Sequence, residues 1–178
     1  MSKKEPLSKW MIEAIVEFTI KTYQEQQELY RKKVHDKKLH KTKLLLEHYR
    51  ELRAQSDNAI YEASQCEEDV YDVLSLLSQG SGEKLYIESI KRNAVRTRLM
   101  LEHVIKALND YEIFCKRSKK DEEMRRFRTI MRLYIEEEPW DFQEVAEEEM
   151  LDVSTVYKDV KAAVKRLAPR IFGVDVLF

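Results

Sequence analysis

The sequence predicts an all-α protein in which a helical amino-terminal region, including a long central helix, precedes a carboxy-terminal domain of three helices. Only 3 glycines and 3 prolines occur among 178 residues, too few for the turns of a multi-stranded β fold. Apolar residues recur at spacings of three and four, which is typical of helices with one buried face. The length allows one substantial core or two small domains.

The charged residues, 37% of the chain, are balanced between 32 basic and 33 acidic side chains. Net charge therefore indicates no nucleic-acid partner, and that interpretation has to rest on how charge is distributed locally. No apolar run reaches the ~20 residues of a membrane span, and no signal segment opens the chain. We expect a soluble cytoplasmic protein with no membrane partner, in which Cys66 and Cys115 are buried thiols.

The first helix is predicted to begin near Ser8, where Met11, Ile15 and Phe18 start an apolar stripe. The pattern fades after residue 24 and ends near the basic run at 31–38, and whether the helix breaks there stays open. A second amphipathic stretch carries Leu45, Tyr49 and Leu52 at i, i+4 and i+7 and continues to about residue 63, and a third covers residues 67–77. The run SQGSG at 78–82 is the clearest break in the sequence.

A heptad pattern predicts one long central helix over residues 83–116. Its two series of a and d positions are Ile87, Ala94, Leu101, Leu108 and Cys115, and Ile90, Thr97, Val104 and Tyr111. The pattern allows either an intermolecular coiled coil or burial against the amino-terminal helices of the same chain. Residues 7–116 are thus predicted to form a helical assembly or regulatory region.

The last segment, residues 120–172, has its own apolar pattern and is followed by a short tail at 173–178. Its first helix is predicted to end before Pro139, and Asp141 is placed to cap the second. Asp152 is placed to cap the third, whose buried stripe is Val156, Val160, Val164 and Leu167. Three helices, with a short connection between the last two, predict a helix-turn-helix domain.

Spacing within this domain predicts which residues face outward. Ala146 and Val156 are ten positions apart, as are the two residues that pack where helices of a helix-turn-helix cross. With Val156 inward, the third helix would present to double-stranded DNA Val153, Ser154, Thr155, Tyr157, Lys158, Lys161, Lys165 and Arg166. Ser154 and Thr155 would bind phosphate beside free backbone N–H groups, and the lysines would contact guanine edges or phosphates. The alternative is an ordinary solvated, lysine-rich helix face.

Acidic residues on the second helix oppose this interpretation, since glutamates at 144 and 147–149 would repel phosphate if they faced a duplex. Met150 stands at the turn position where glycine is commonest, and Glu149 where leucine often packs. The preceding helix carries Arg125, Arg126, Arg128 and Arg132. These arginines either touch the DNA backbone or pair with the glutamates, and the sequence favours neither.

The segment AEEEMLDVSTVYKDVKAAVKRL resembles region 4 of sigma factors and, more closely, the terminal domain of the ArpU and RinA group of phage late-gene transcription regulators. KTKLLLEHYRELR, at 41–53, is similar to the amino-terminal helix of that group. The resemblance covers about the last forty residues and one earlier helix. It implies a phage or prophage activator of late genes that acts through DNA, with RNA polymerase as a second candidate partner. The glutamate-rich second helix and the long central helix depart from the group's pattern.

Motifs of enzymes are missing from the sequence. The four histidines lack the close spacing of metal ligands, and there is no glycine-rich phosphate loop, GxSxG or Cys-His arrangement. We expect no enzyme activity, metal or cofactor. The function predicted is sequence-specific DNA binding by a homodimer in transcription regulation, because one small domain contacts few base pairs. The rivals are a helical adaptor or inhibitor that keeps the fold without binding DNA, and a small phage DNA-packaging subunit.

Overall fold

A computed structural model describes residues 8–57 and 94–173, and all regular structure in these two ranges is helical, which confirms the all-α class. The six helices within these ranges are α1 (Lys9–Glu47), α2 (Tyr49–Asp57), α3 (Ala94–Ser118), α4 (Asp121–Ile130, extended by a π-helical turn over Met131–Ile135), α5 (Phe142–Glu148) and α6 (Val153–Phe172). The predictions for residues 58–93, including the third amphipathic stretch, the SQGSG break and the start of the heptad seam, lie outside the described residues.

The first helix continues without interruption through the basic run at 31–38, where the sequence had left a break open. That run contains neither glycine nor proline, so no residue in it opposes helix. The interruption falls later, at the single residue His48, whose N–H donates to the Leu44 carbonyl at 3.0 Å and whose carbonyl accepts from Leu52 at 2.9 Å. Leu45 and Tyr49, predicted on one helix, thus lie on either side of this joint.

Two compact units divide the chain, one ending at Lys37 and the other beginning at Lys38. In the second unit, α6 packs against α3, α4 and α5, and α2 packs against α3. The predicted stripe of α6 is buried, since Val156, Val160, Val164 and Leu167 are each at most 6% exposed. One apolar cluster joins these residues to others on α3 and α4 and to Leu44–Leu46 of α1.

The heptad seam of the central helix is used inside the chain's own core. Six of its positions are buried: Thr97, Leu101, Val104, Leu108, Tyr111 and Cys115. The helix packs against α2, which agrees with the alternative of burial against the amino-terminal helices of the same chain. It also packs against α4 and α6 of the carboxy-terminal segment. The predicted burial of the Cys115 thiol is confirmed, whereas Cys66 lies outside the described residues.

Side chains from distant helices bind the carbonyls that two helix ends leave unpaired. Arg50 of α2 donates to the carbonyls of Arg132 and Leu133 at 3.2 and 3.0 Å and to that of Glu136 at 2.6 Å. At the end of α6, His103 Nε2 donates to the Ile171 carbonyl at 2.7 Å, and Lys38 Nζ donates to that of Phe172 at 3.2 Å. The positive charges of Arg50 and Lys38 suit the negative carboxyl end of a helix.

The predicted boundary between 116 and 120 falls within the second unit. There, α3 ends at Ser118, Lys119 adopts a left-handed φ of 53°, and α4 begins two residues later. Division into a region over 7–116 and a domain over 120–172 stays a prediction. Of the predicted tail, the described part is Gly173, which ends α6 with a φ of 76°.

Candidate nucleic-acid interface

The predicted caps of α5 and α6 are both present. Asp141 accepts a hydrogen bond from the Glu144 N–H at 2.8 Å, and the Glu144 carboxylate accepts from the Asp141 N–H at 2.6 Å, a complete capping box. Asp152 accepts from the Ser154 N–H at 2.7 Å. Hydrogen bonds from the hydroxyl and backbone of Ser154 hold the pKa of the Asp152 carboxyl below its usual value. The other residue of the box, Glu144, was expected only as a source of repulsion.

Three backbone N–H groups at the start of α6, a set predicted to be free to bind phosphate, have Asp152 as their partner. Asp152 takes the Ser154 N–H with its carboxylate, and its carbonyl accepts from Thr155 at 2.8 Å and Val156 at 3.4 Å. A carboxylate at a helix amino terminus satisfies the donors that an anion would otherwise bind. An anion at these three N–H groups would therefore compete with Asp152.

The connection from α5 to α6 is a helix-ending turn that normally uses glycine. The N–H of Leu151 donates to the Ala146 carbonyl at 2.8 Å, and that of Met150 donates to Glu147 at 3.2 Å. Met150 takes the left-handed conformation with a φ of 52°, and its side chain is 90% exposed. The sequence pattern thus correctly identified residue 150 as the turn position that favours glycine, although a methionine occupies it. Ala146 and Val156, the pair predicted at the helix crossing, are both buried.

Three predicted contact residues form what we call the lysine stripe: Lys158, Lys161 and Lys165. They continue from Ser154 at i+4, i+7 and i+11, a spacing that keeps all four residues on one face of α6. All four are exposed. Within the described ranges, no carboxylate lies within ion-pair distance of a lysine of the stripe. The stripe spans about 10 Å of helix at 1.5 Å per residue.

Other predicted contact residues are engaged with the protein itself. Tyr157 stacks on Phe142 of α5, with ring centroids 4.2 Å apart and planes at 14°, yet stays 58% exposed. Val153 is half-buried against the apolar core, and Thr155 is also half-buried. Arg166 lies over the Phe114 ring at 5.2 Å and donates to Glu123 at 3.3 Å. Arg166 therefore faces α3 and α4 rather than the side that carries the lysine stripe.

Asp159 is an ionic residue of α6 that the sequence analysis did not single out. It is 3% exposed, and it accepts from Arg125 at 2.7 and 3.2 Å and from Arg126 at 3.4 Å. The hydrogen bond that Arg125 donates to Asp159 is the main cause that raises the pKa of Arg125. A signal was available, because Asp159 follows Val156 by three residues and so lies beside the buried stripe of α6.

The arginines of α4 pair with acids, which is one of the two alternatives that the sequence left open. Arg128 binds Glu149 through two hydrogen bonds of 2.8 and 2.7 Å, and Arg132 binds the same carboxylate at 3.0 Å. The hydrogen bond from Arg128 lowers the pKa of Glu149. The glutamate that replaces the expected leucine thus joins α5 to α4, and its charge is compensated.

An apolar groove of about 510 Å³ lies beside the lysine stripe. Its lining includes the apolar side chains of Tyr134, Phe142 and Val164 and the charged residues Lys161, Lys43 and Glu47. Lys43 and Glu47 are paired at 3.2 Å. Lys161 therefore borders both a cationic surface and an apolar one.

No protein-family model matches the chain, and neither a curated protein nor a solved structure is significantly similar to it. Within residues 8–57 and 94–173, no cluster of three histidine, cysteine or acidic side chains is arranged to hold a metal ion. None of the helices in these ranges is both long enough and apolar enough to cross a bilayer. The site is therefore interpreted from its own geometry.

Proposed function

We propose that this protein binds double-stranded DNA with α6 and regulates transcription from the cytoplasm. The observation that carries the proposal is the lysine stripe, three exposed lysines on one helix face without carboxylate partners in the described ranges. Uncompensated lysines release counterions when they meet phosphate, and this is the main source of affinity for DNA. The resemblance to ArpU and RinA regulators suggests phage late genes as the target and RNA polymerase as a further partner.

The proposed docking places α6 in the major groove, with α5 and the turn at Met150 completing a helix-turn-helix. Ser154, Lys158 and Lys161 on the first turns would contact base edges, and Lys165 would contact the backbone. A stripe of about 10 Å is comparable with a groove about 12 Å wide. Arg166 and Val153 are not part of this surface, since both pack against the protein.

Pairing within the protein reduces the repulsion expected from the acidic second helix. Arg128 and Arg132 compensate Glu149, and Arg132 also reaches Glu148 at 3.4 Å. Glu144 serves the capping box. The electrostatic objection to DNA binding is therefore weaker than composition alone suggests, because these carboxylates already have partners.

A second candidate function, a protein-binding adaptor, is favoured by the apolar groove beside α6. Its volume of about 510 Å³ and its aromatic lining suit apolar side chains of a partner better than phosphate. In that function, Lys161 would flank a protein partner, and the other two lysines would be solvated surface. The two candidates differ in what Lys158→Glu does, since Lys158 does not line the groove.

The test measures binding of mixed genomic DNA fragments as ionic strength rises. We expect Lys158→Glu with Lys161→Glu to abolish binding, and single alanine variants to lower the salt slope by about 1 each. The matched control is Lys106→Glu with Lys120→Glu, which changes net charge equally at exposed positions outside α6. Circular dichroism checks that every variant is folded.

Equal binding by the stripe and control variants would contradict the proposal. A large ring by light scattering would instead favour the packaging subunit.

A further inference from the structure

The apolar groove beside the lysine stripe has the size of a small-molecule site. Its volume of about 510 Å³ falls within the range of about 300–1,000 Å³ that is typical of ligand pockets. Ten described residues line it, whereas a protein–protein interface uses about 20–30 residues on each side. The groove by itself therefore fits a small molecule, and a protein partner would need further surface around it.

The walls of the groove favour an aromatic ligand. Phe142 and Tyr157 stack with ring centroids 4.2 Å apart and planes at 14°, and Tyr157 remains 58% exposed. Val160 and Val164 also line the groove and belong to the apolar core, against which Leu39 packs. Apolar side chains held by the core, next to an exposed ring, suit an apolar ligand that contains a ring of its own.

The charged residues of the lining favour a ligand with a negative charge. Two lysines and one glutamate lie there, and Lys43 is paired with Glu47 at 3.2 Å. Lys161 has no carboxylate within ion-pair distance in residues 8–57 and 94–173. In mostly apolar sites, a single charged residue of this kind fixes the orientation of the ligand.

The Tyr134 hydroxyl is a second polar group at the groove. Tyr134 lines the groove and is 8% exposed, and its hydroxyl makes no hydrogen bond to another residue of the described ranges. Burial is the largest cause that raises the pKa of Tyr134 to about 12, and two other lining residues, Glu47 and Tyr157, add to it. The hydroxyl therefore stays protonated at neutral pH. Because buried hydroxyls are normally hydrogen-bonded, it favours a ligand that supplies an acceptor oxygen.

We propose that the groove binds a small aromatic carboxylate, whose ring lies against Tyr157 and whose carboxylate binds Lys161. Lys161 also belongs to the lysine stripe, so the bound ligand withdraws one of the cations that contact DNA. The groove is thus an effector site, and its ligand lowers the affinity for DNA. This regulatory step rests on the proposed function, whereas binding of the ligand does not.

Nuclear magnetic resonance of the full chain without DNA tests the site. The probes are naphthylacetate and its uncharged analogue naphthylacetamide. We expect both to shift the methyl resonances of Leu39, Val160 and Val164. The dissociation constant of the acid should be about three- to fivefold lower than that of the amide, as a partly solvated ion pair allows. No shift at these methyl groups, or equal affinity for the two probes, would overturn the proposal.

Removal of the lysine charge tests the position of the carboxylate. Lys161→Met keeps an apolar stem but removes the charge, so the two probes should then bind with equal affinity. Lys106→Met is the matched control, because Lys106 is an exposed lysine outside the groove and should preserve the preference for the acid. A preference that survives in Lys161→Met, or that the control also loses, would overturn the role of Lys161.

Binding of genomic DNA fragments tests the regulatory step, with sodium acetate in the reference samples to keep the ionic strength constant. Saturating naphthylacetate should raise the dissociation constant for DNA, by no more than Lys161→Met does, and should leave that of the variant unchanged. No effect of the acid on wild type, or an equal effect of naphthylacetamide, would overturn the exclusion at Lys161. A chain that binds the acid in the groove but binds no DNA would contradict the proposed function alone.

Discussion

At the scale of the residue, Asp159 positions α6 on α4. Its carboxylate is almost fully buried and accepts hydrogen bonds from two guanidinium nitrogens of Arg125. Arg126 donates a third, longer hydrogen bond to it. Arg126 also binds Glu122 and Glu123, so it keeps acidic partners of its own. Arg125 has no such second partner at ion-pair distance in the described ranges.

Asp159→Ala is expected to lower the free energy of unfolding by about 3 kcal/mol, because it leaves the partly buried Arg125 without its carboxylate. Urea unfolding followed by circular dichroism measures the change. Lys161→Ala on the same helix is the control and should stay within about 0.5 kcal/mol. If both variants unfold at the same urea concentration, the buried ion pair contributes no stability.

Met150→Gly is expected to stabilise the protein by about 1 kcal/mol. The left-handed φ of 52° strains any residue with a Cβ, and the exposed methionine side chain loses no burial when it is removed. The midpoint of urea unfolding reports the gain. Met150→Ala keeps the Cβ and should behave like the wild type, so an equal gain with alanine would argue against backbone strain.

At the scale of the element, Glu149 links the end of α5 to α4 through Arg128 and Arg132. Its lowered pKa means that the folded state favours the ionised carboxylate. This contribution is present above the ordinary glutamate pKa of 4.5 and is lost as pH falls through the lower pKa of the folded protein. The three-helix arrangement that presents the lysine stripe therefore weakens in acid.

Glu149→Gln is expected to cost about 1 kcal/mol near neutral pH, a modest figure because the Arg128 side chain is 45% exposed and water screens the pair. The difference between wild type and variant should shrink as pH falls below 4.5 and through the lower pKa of the folded protein, where the wild-type carboxyl becomes neutral as well. Urea unfolding at a series of pH values from neutral into acid measures it. If the difference in unfolding free energy persisted in acid, it would come from the changed shape of the side chain rather than from the lost charge of Glu149.

At the scale of the molecule, α3 supplies the surface on which the carboxy-terminal helices pack. Tyr111 and Cys115 of α3 belong to the same apolar cluster as Ile130 of α4 and Leu167 of α6. The predicted boundary near residue 118 therefore separates two parts of one cluster. A helix-turn-helix cut out at this boundary would expose the apolar side chains that α3 now covers.

A fragment of residues 120–172 is expected to remain largely unfolded or to aggregate, because it loses the core contributed by α3. Circular dichroism and amide NMR dispersion measure the outcome, with the full chain as reference. A fragment that unfolds cooperatively near the midpoint of the full chain would restore the predicted division into two domains.

Local features of the carboxy-terminal segment were accessible from the sequence because each depends on neighbours within a few residues. Asp141 and Asp152 were identified as caps, and Val156 and Val160 as buried, from spacing alone. The position of Met150 was identified in the same way. The lysine stripe follows from the same periodicity, since a helix that buries one side exposes the other.

The sequence by itself determined the all-α class, the caps, the buried stripe of α6 and the exposure of its lysines. Tertiary structure decided that Arg166 turns to Glu123, that Asp159 binds Arg125, and that the heptad seam is buried in its own chain. Helical periodicity is a local property, written in every few residues. In the two ion pairs, by contrast, the partner residues are 34 and 43 positions apart in the sequence. Only the folded chain brings residues that far apart into contact.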